Sequence, residues 1–141
     1  MTTCKDVMTT NPICCLPDDE VNKVAQMMKS EGVGSIPVIE NRENNHLIGI
    51  LTDRDLALKV VATGRNPAKM KIKQVMKHKL FTCLQSDDVQ KAFDVMATRQ
   101  VRRIPVIDGK GAIVGIIAQG DIATRLDDPE KIGELVAKIS K

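Results

Sequence analysis

Aromatic residues are almost absent from this sequence, which has no tryptophan, no tyrosine and only two phenylalanines among its 141 residues. Proteins that bind single-stranded nucleic acid stack the bases on aromatic side chains, and this chain lacks such a platform. No apolar run reaches the roughly 18 residues that cross a bilayer, and the N-terminal residues lack the apolar centre of a signal peptide. We therefore expect a cytoplasmic protein that enters no membrane and binds no nucleic acid.

Motifs for catalysis and metal binding are missing as well. The sequence has no C-x-x-C or H-x-x-x-H spacing, no P-loop, no G-x-G-x-x-G fingerprint and no Ser/His/Asp set. Its four cysteines are predicted to be reduced thiols, because disulfides are rare in the cytoplasm. We expect no enzyme activity, no metal site and no required cofactor.

Positive charge is concentrated in the second half of the chain. Residues 1–68 carry seven Lys and Arg against nine Asp and Glu, whereas residues 69–141 carry 14 against nine. Part of this excess is a row of lysines that an extended linker would present on one side, and we interpret the row as a solubilising face. The row consists of Lys69, Lys71, Lys73, Lys77 and Lys79.

An internal repeat organises the sequence. A shift of 68 aligns "DDEV" (18–21) with "SDDV" (86–89) and "GSIPVIE" (34–40) with "RRIPVID" (102–108). Each copy predicts the order β-α-β-β-α, with two strands rich in Ile and Val between two helices. A copy of about 60 residues is only marginally stable alone, so we expect the two to share a core about a pseudo-two-fold axis, with two equivalent clefts.

The predicted boundaries follow from caps and turns. The first helices begin at Asp18 and Ser86, and Gly32 ends the first of them as a left-handed cap. The remaining elements are short extended pieces at Ile13–Leu16 and Phe81–Leu84, strands at Ser35–Ile39, Leu47–Leu51, Arg103–Ile107 and Ile113–Ile117, and closing helices at Asp53–Ala62 and Gly120–Leu126. We assign residues 1–66 to the first repeat, 67–128 to a linker and the second repeat, and 129–141 to a C-terminal helix or tail.

Six short motifs in register carry a family resemblance. "VMTTNP", "GSIPVI" and "GILTDRDL", followed by "VMKHKL", "RRIPVI" and "GIIAQGD", resemble a tandem pair of CBS domains, the Bateman module, over residues 4 to about 126. The resemblance implies a regulatory module that binds AMP, ADP, ATP, S-adenosylmethionine or related adenosine ligands. Most relatives are fused to the protein they regulate; this chain has no room for one, so we expect a separate, unknown partner.

The resemblance also implies association into a homodimer. Modules of this family dimerise through helices, and we expect the apolar face of the first helix in each repeat to be too large for one sheet to cover. We therefore expect these faces to form the dimer contact. They consist of Val21, Val24 and Met28 in the first repeat and Ala92, Val95 and Met96 in the second.

The junction of strand and helix in each copy carries the candidate ligand site. The resemblance implies that Asp55 and Asp121 bind the ribose hydroxyls and that Thr52 binds a phosphate. The alternative is a capping box, in which Thr52 and Asp55 satisfy each other's backbone N–H groups. We favour the ligand site, because the second copy keeps its acid although Ala118 replaces the threonine, and we expect tighter binding at Asp55.

Further candidate residues come from the strands and basic positions. In the family, an adenine ring lies between the proline-bearing strand and the short extended piece; Pro37 and Pro105 fit a strand edge or cleft lip. Arg54, Arg102 and Arg103 are candidate phosphate ligands, with solvated surface as the alternative. The other candidates are Asn11, Ile13, Ile36, Leu80, Phe81 and Ile104.

Two alternative functions stay open. Cys14 and Cys15 lie beside the expected adenine pocket, so the same scaffold would serve a thiol-based redox or metal sensor, although we favour them as small buried hydrophobes. A basic nucleic-acid-binding protein is the other alternative, and a salt-dependent gel shift would support it.

Overall fold

The fold is described from a computed structural model. The structure describes residues 1–121 and, beyond them, Gly133 and Ala137. Residues 119–121 are helical, in agreement with the start of the predicted second closing helix. The rest of that helix and the predicted helical tail at 129–141 lie outside the described residues, apart from those two positions.

The chain combines helices with short strands, which confirms the mixed α/β class and its two repeats. The leading strand predicted at Ile13–Leu16 is reduced to a single bridge at Cys15. The helices are α1 (Cys4–Val7), α2 (Val21–Glu31), α3 (Asp53–Leu56) and α4 (Val89–Arg99). The strands are β1 (Thr9–Thr10), β2 (Ser35–Ile39), β3 (Leu47–Thr52), β4 (Cys83–Leu84), β5 (Arg103–Ile107) and β6 (Ile113–Ala118). Among the described residues, no helix combines the length and apolarity that crossing a membrane requires.

The first helix of each repeat begins three residues later than predicted. The Asp19 and Asp87 carboxylates accept hydrogen bonds from the backbone N–H groups of Leu16 and Leu84, both at 2.8 Å. These bonds hold the residues before α2 and α4 in a turn, so the helices begin at Val21 and Val89. The end of α2 is as predicted, since Gly32 has a φ of 65°.

The closing helix predicted at Asp53–Ala62 is α-helical only over α3. It widens into a π-helical turn over Ala57–Val61, in which the Ala62 N–H donates to the Ala57 carbonyl at 2.9 Å. The lysine-bearing segment that follows is not extended as predicted, because it contains 3-10 turns at Pro67–Lys69 and Ile72–Gln74. Its lysines therefore do not share one side of a strand.

The chain forms two compact units, which differ from the sequence division at residue 66. Unit 1 comprises Met1–Pro12 and Phe81–Lys141, and unit 2 comprises Ile13–Leu80. The two repeats thus exchange their leading segments. The first twelve residues belong with the body of the second repeat, and the residues after the linker belong with the body of the first.

Unit 1 contains a four-stranded sheet in the order β1-β6-β5-β4. Strand β1 pairs antiparallel with β6, β5 pairs antiparallel with β6, and β4 pairs parallel with β5. Pro105 therefore lies in an interior strand and not at a strand edge, while its predicted place at a cleft lip stays a prediction. The interior position is tolerated because the parallel pairing with β4 begins only at Val106. The largest fully buried side chains here are Phe93, Met96, Ile104 and Ile117.

Unit 2 repeats this arrangement with shorter pairings. Strands β2 and β3 are antiparallel, with isolated bridges from Cys15 to Val38 and from Lys77 to Ile50 on the two sides. Pro37 lies in an edge strand of the two-stranded sheet, as predicted, although the Cys15 N–H donates to its carbonyl at 3.0 Å along that edge. The core of this unit includes Val21, Val24, Ile36, Leu51 and Ile72.

The apolar helix faces predicted to form a dimer are covered. Val21, Val24 and Met28 of α2 are 0%, 2% and 6% exposed and belong to the core of unit 2. Ala92 and Met96 of α4 are 0% exposed and belong to the core of unit 1, with Val95 packed against it. The prediction that one sheet face leaves these side chains uncovered is wrong.

Candidate functional site

Asp55 lies at the junction of β3 and α3 and caps the helix. Its Oδ2 accepts hydrogen bonds from the Thr52 N–H (3.0 Å) and the Thr52 hydroxyl (2.9 Å). In return, the Asp55 N–H donates to Thr52 Oγ1 at 3.2 Å. The capping-box interpretation is therefore correct as a description of the local structure. It accounts for only one of the two carboxylate oxygens.

The second oxygen of Asp55 faces two lysines. The Nζ atoms of Lys59 and Lys77 each lie 3.5 Å from Asp55 Oδ1, and Lys59 also donates to the Val75 carbonyl at 2.9 Å. Asp55 is 3% exposed, whereas the lysine side chains are 43% and 47% exposed. Water screens such half-exposed ammonium groups, so each pair stabilises the fold modestly. The result is a buried carboxylate whose outer side is positively charged.

Asp121 has equivalent contacts in unit 1. Its Oδ2 accepts from the Ala118 N–H at 2.8 Å, and its Oδ1 accepts from the Thr9 hydroxyl at 3.0 Å. The backbone half of the cap thus persists in unit 1, although Ala118 has no hydroxyl and cannot supply the side-chain half. The neutral hydroxyl of Thr9 takes the place that the Lys77 ammonium has in unit 2.

Sequence reasoning did not assign Thr9, Lys59 or Lys77 to the site. Thr9 and Lys77 are 68 residues apart and each follows a Val-Met pair. The repeat alignment therefore could have identified them as equivalent positions. We had assigned Lys77 to a solubilising row, and the structure instead places it against Asp55. Lys71 and Lys73 of the same row lie 3.6 and 3.0 Å from Asp18.

Ser35 is a further residue that the sequence did not reveal. It pairs with Thr52 across β2 and β3, so it lies beside the Asp55 junction. Its Oγ is buried without a hydrogen-bond partner, and it is the sole side-chain atom of this kind within the described part of the chain. A buried hydroxyl without a partner is costly, and a bound polar ligand would remove that cost.

The remaining predicted residues of unit 2 differ in exposure. Ile36 and Pro37 are buried, and the Pro37 carbonyl accepts from the Cys15 N–H at 3.0 Å. Ile13 is 38% exposed, Leu80 is half-buried and Arg54 is exposed.

Unit 1 contains the other predicted residues. Arg103 is half-buried and pairs with Ala118 across β5 and β6, which places it beside the Asp121 junction. Phe81 is half-buried, and the Arg99 guanidinium lies 4.7 Å from its ring centroid, so one face of the ring is occupied. Ile104 and Pro105 are buried, whereas Asn11, with a φ of 53°, and Arg102 are exposed.

Two predicted pairs are divided between the units. Asn11 belongs to unit 1 and Ile13 to unit 2, while Leu80 belongs to unit 2 and Phe81 to unit 1. The ligand roles of these four residues stay predictions.

Cys14 and Cys15, the candidate sensor thiols, are buried in unit 2. Burial raises the pKa of the Cys14 thiol, and it raises the pKa of Cys15 to about 12. Both thiols therefore stay protonated near neutral pH, where a thiol is a poor nucleophile and a poor metal ligand. The described residues include no group of three or more His, Cys, Asp or Glu side chains that would hold a metal ion.

Comparison with known proteins identifies the family. The CBS-domain model matches residues 4–62 and again residues 72–128. The chain therefore belongs to the CBS-domain family and contains two CBS repeats.

Known relatives agree with this assignment. The CBS domain-containing protein YhcV of Bacillus subtilis is 36% identical over 140 residues, which is 99% of this chain and 96% of that protein. A crystal structure of Hypoxic Response Protein I with two coordinated zinc ions has a TM-score of 0.79 at 31% identity, covering 89% of this chain and 100% of that one. The CBS domain pair of protein MJ0100, solved with 5′-methylthioadenosine and S-adenosyl-L-methionine, shares the fold with a TM-score of 0.75 at 24% identity, over 88% and 94% of the two chains.

Proposed function

We propose that this protein is a cytoplasmic regulatory module that binds adenosine-containing ligands at the Asp55 and Asp121 junctions and turns none of them over. The buried, unpartnered hydroxyl of Ser35 beside the Thr52–Asp55 cap carries the proposal. A protein interior rarely leaves such a group unpaired, so its position next to a carboxylate indicates a place for a polar ligand. A carboxylate accepts two hydrogen bonds side by side, which suits the two hydroxyls of a ribose.

The lysines make the Asp55 site selective for phosphorylated ligands. Lys59 and Lys77 each have three N–H donors, and both are partly exposed beside Asp55. A phosphate near the ribose would accept from these donors in charge-assisted hydrogen bonds, which are stronger than neutral ones. The same two cations disfavour the positively charged S-adenosylmethionine. In unit 1, Thr9 supplies a neutral donor at the position of Lys77.

The test is isothermal titration calorimetry with adenosine, AMP, ADP, ATP, 5′-methylthioadenosine and S-adenosylmethionine. We expect AMP to bind more tightly than adenosine, and we expect Asp55→Ala to remove the tighter site while Asp121→Ala leaves it. Ala118→Thr should strengthen the weaker site. If Asp121→Ala abolishes the tight site and Asp55→Ala changes nothing, the two sites are assigned the wrong way round.

The chain offers a matched pair of variants for the phosphate contact. Lys77→Thr gives unit 2 the residue of unit 1, and Thr9→Lys does the reverse. One lost charge-assisted hydrogen bond is worth about tenfold in affinity or more, so Lys77→Thr should weaken AMP binding about tenfold and leave adenosine binding unchanged. Equal losses for AMP and adenosine would contradict a phosphate contact. Binding that no variant alters would leave Thr52 and Asp55 as a helix cap alone.

Absence of turnover is tested with the same ligands. The Thr52 and Thr9 hydroxyls donate to the Asp55 and Asp121 carboxylates, and we assign these contacts to the caps and not to catalysis. Incubation with ATP or AMP should therefore give no product above background. Hydrolysis that disappears in Asp55→Ala would contradict the module and indicate an enzyme.

We also propose a homodimer, although the helix faces first expected to form it are buried. Apolar surface remains at Leu58 and Val61, which are 54% and 76% exposed. Sedimentation velocity at micromolar concentration should show a dimer, and Val61→Lys should weaken it without disturbing the core. A monomer for the unaltered protein would contradict this proposal.

A further inference from the structure

Two of the four cysteines lie side by side in unit 1. Cys4 begins α1 and Cys83 begins β4, and their side chains are 0% and 2% exposed. Both belong to one buried core cluster, where the thiol of each residue perturbs the pKa of the other. The Cys4 thiol also donates to the Asp88 carbonyl at 4.0 Å. The backbone holds them there, since the Cys4 N–H donates to the Asp87 carbonyl at 2.9 Å and the Lys5 N–H donates to the Gln85 carbonyl at 3.0 Å.

Unit 2 shows what packing alone requires at these positions. The repeat shift of 68 aligns Cys4 with Ile72 and Cys83 with Cys15. The backbone contacts recur, because the Ile72 N–H donates to the Asp19 carbonyl at 3.0 Å, and Ile72 is likewise 0% exposed. An isoleucine therefore satisfies the same buried position. The core of unit 1 therefore does not require a thiol at Cys4.

The environment of the pair distinguishes its two thiols. The hydrogen bond from Cys83 holds the pKa of Cys4 below its usual value, against the opposing effect of burial. The same hydrogen bond raises the pKa of Cys83, and burial adds to the effect. The thiolate is the nucleophilic form of cysteine, so Cys4 is the attacking member of the pair.

We propose that Cys4 and Cys83 are a site of reversible oxidation, at which hydrogen peroxide converts the two thiols into a disulfide. The Cys4 thiolate attacks a peroxide oxygen, the O–O bond breaks, and the departing hydroxide takes up a proton to form water. The Cys83 sulfur then attacks the sulfenic sulfur of Cys4, the S–O bond breaks, and the oxygen leaves as a second water with the Cys83 proton. Two thiols lose two electrons, and one peroxide is reduced to two waters.

Access to the buried pair follows from the shortness of the elements that carry it. Helix α1 has four residues and strand β4 has two, and Thr2 beside α1 is exposed. Elements this short open locally at low free energy, so peroxide reaches Cys4 without global unfolding.

The disulfide would anchor the segment that unit 1 takes from the first repeat. That segment carries Thr9, whose hydroxyl bonds Asp121 at 3.0 Å. Oxidation therefore holds Thr9 at the Asp121 junction, and, if the proposed function is correct, it changes ligand binding there. The closed loop from residue 4 to residue 83 contains all of unit 2, so it also removes much chain entropy from the unfolded state.

Peptide mapping tests the proposal on the full chain. The reduced protein is treated with hydrogen peroxide and then unfolded in the presence of iodoacetamide, which alkylates any remaining free thiols. It is then digested with trypsin. Cleavage after Lys and Arg places the cysteines on three peptides, MTTCK, DVMTTNPICCLPDDEVNK and LFTCLQSDDVQK. We expect the first and third to be joined by a bond that dithiothreitol breaks, while Cys14 and Cys15 are alkylated. Alkylation of both Cys4 and Cys83 after peroxide, or their linkage only to Cys14 or Cys15, would overturn the proposal.

Stability provides a second readout with a control that the repeat itself supplies. Oxidation should raise the melting temperature of the unaltered protein by about 10 °C, and reductant should reverse the rise. Cys4→Ile, which copies Ile72, should fold and show no such rise, whereas Cys14→Ser should keep it. If the Cys4–Cys83 disulfide forms but the melting temperature does not rise, the proposal that the disulfide anchors the segment is overturned. Both readouts are taken without nucleotide, so they hold or fail independently of the ligand proposal.

Discussion

Gly115 leaves the space in which the exchanged N-terminal segment packs, and replacing it with alanine should expel that segment. A Cβ at this position would lie 2.5 Å from Met8 Sδ and 2.9 Å from the Thr9 carbonyl oxygen. The methionine side chain can rotate away, but the carbonyl moves only if β1 shifts from β6, with which it pairs at Thr10 and Gly115. Overpacking of this kind costs about 2 kcal/mol, or about 5 °C in melting temperature.

The repeat provides a second instance and a control. Gly49 has the same surroundings in unit 2, where a Cβ would lie 2.8 Å from Met76 Sδ and 2.9 Å from the Lys77 carbonyl oxygen. Gly109 has open space around it and no left-handed φ, so Gly109→Ala should leave stability within about 0.5 kcal/mol.

Urea unfolding followed by circular dichroism measures all three variants. We expect Gly115→Ala and Gly49→Ala to unfold at lower urea than Gly109→Ala. Adding Met8→Ala to Gly115→Ala should not restore stability, because the Thr9 carbonyl still blocks the Cβ. If Gly115→Ala unfolds at the same urea concentration as Gly109→Ala, the close approach of β1 to β6 is refuted.

Three further predictions concern caps and thiols. Gly32→Ala should lower the free energy of unfolding by about 1 kcal/mol in urea, because residue 32 has a φ of 65°; an unchanged value would be inconsistent with that conformation. Thr52→Ala should cost about 1 kcal/mol by the same assay, whereas Ala118→Thr should stabilise by up to that amount, and opposite signs would disprove the capping argument. Burial raises the pKa of Cys15 to about 12 from the ordinary 9.0, so the stability it contributes below pH 9 should be lost as the pH rises towards 12. Urea titrations across this range should show a shallower decline for Cys15→Ala, and an equal decline would contradict the assignment.

Much of the fold could be predicted from local patterns. Runs of Ile and Val followed by turn residues correctly predicted both ends of β2 and β5. Strands β3 and β6 each extend one residue further than predicted. Gly32 marked the end of α2, because glycine readily adopts the left-handed conformation that ends a helix, and this preference belongs to a single residue. The Thr52–Asp55 junction was visible because a capping box depends on residues three apart. The helix starts were missed by three residues, because the turn bonds of Asp19 and Asp87 compete with helix formation.

The sequence by itself determined that the chain contains two copies of one repeat, with Asp55 and Asp121 at equivalent junctions of strand and helix. It could do so because each repeat is a local pattern of side chains. Only the tertiary structure decided which leading segment packs on which body, and therefore that Thr9 contacts Asp121 and Lys77 contacts Asp55. It likewise brought Cys4 to Cys83 and covered the apolar faces of α2 and α4. These pairings join residues far apart in the chain. They depend on how the strands pair and the core closes, which a local pattern of side chains does not contain.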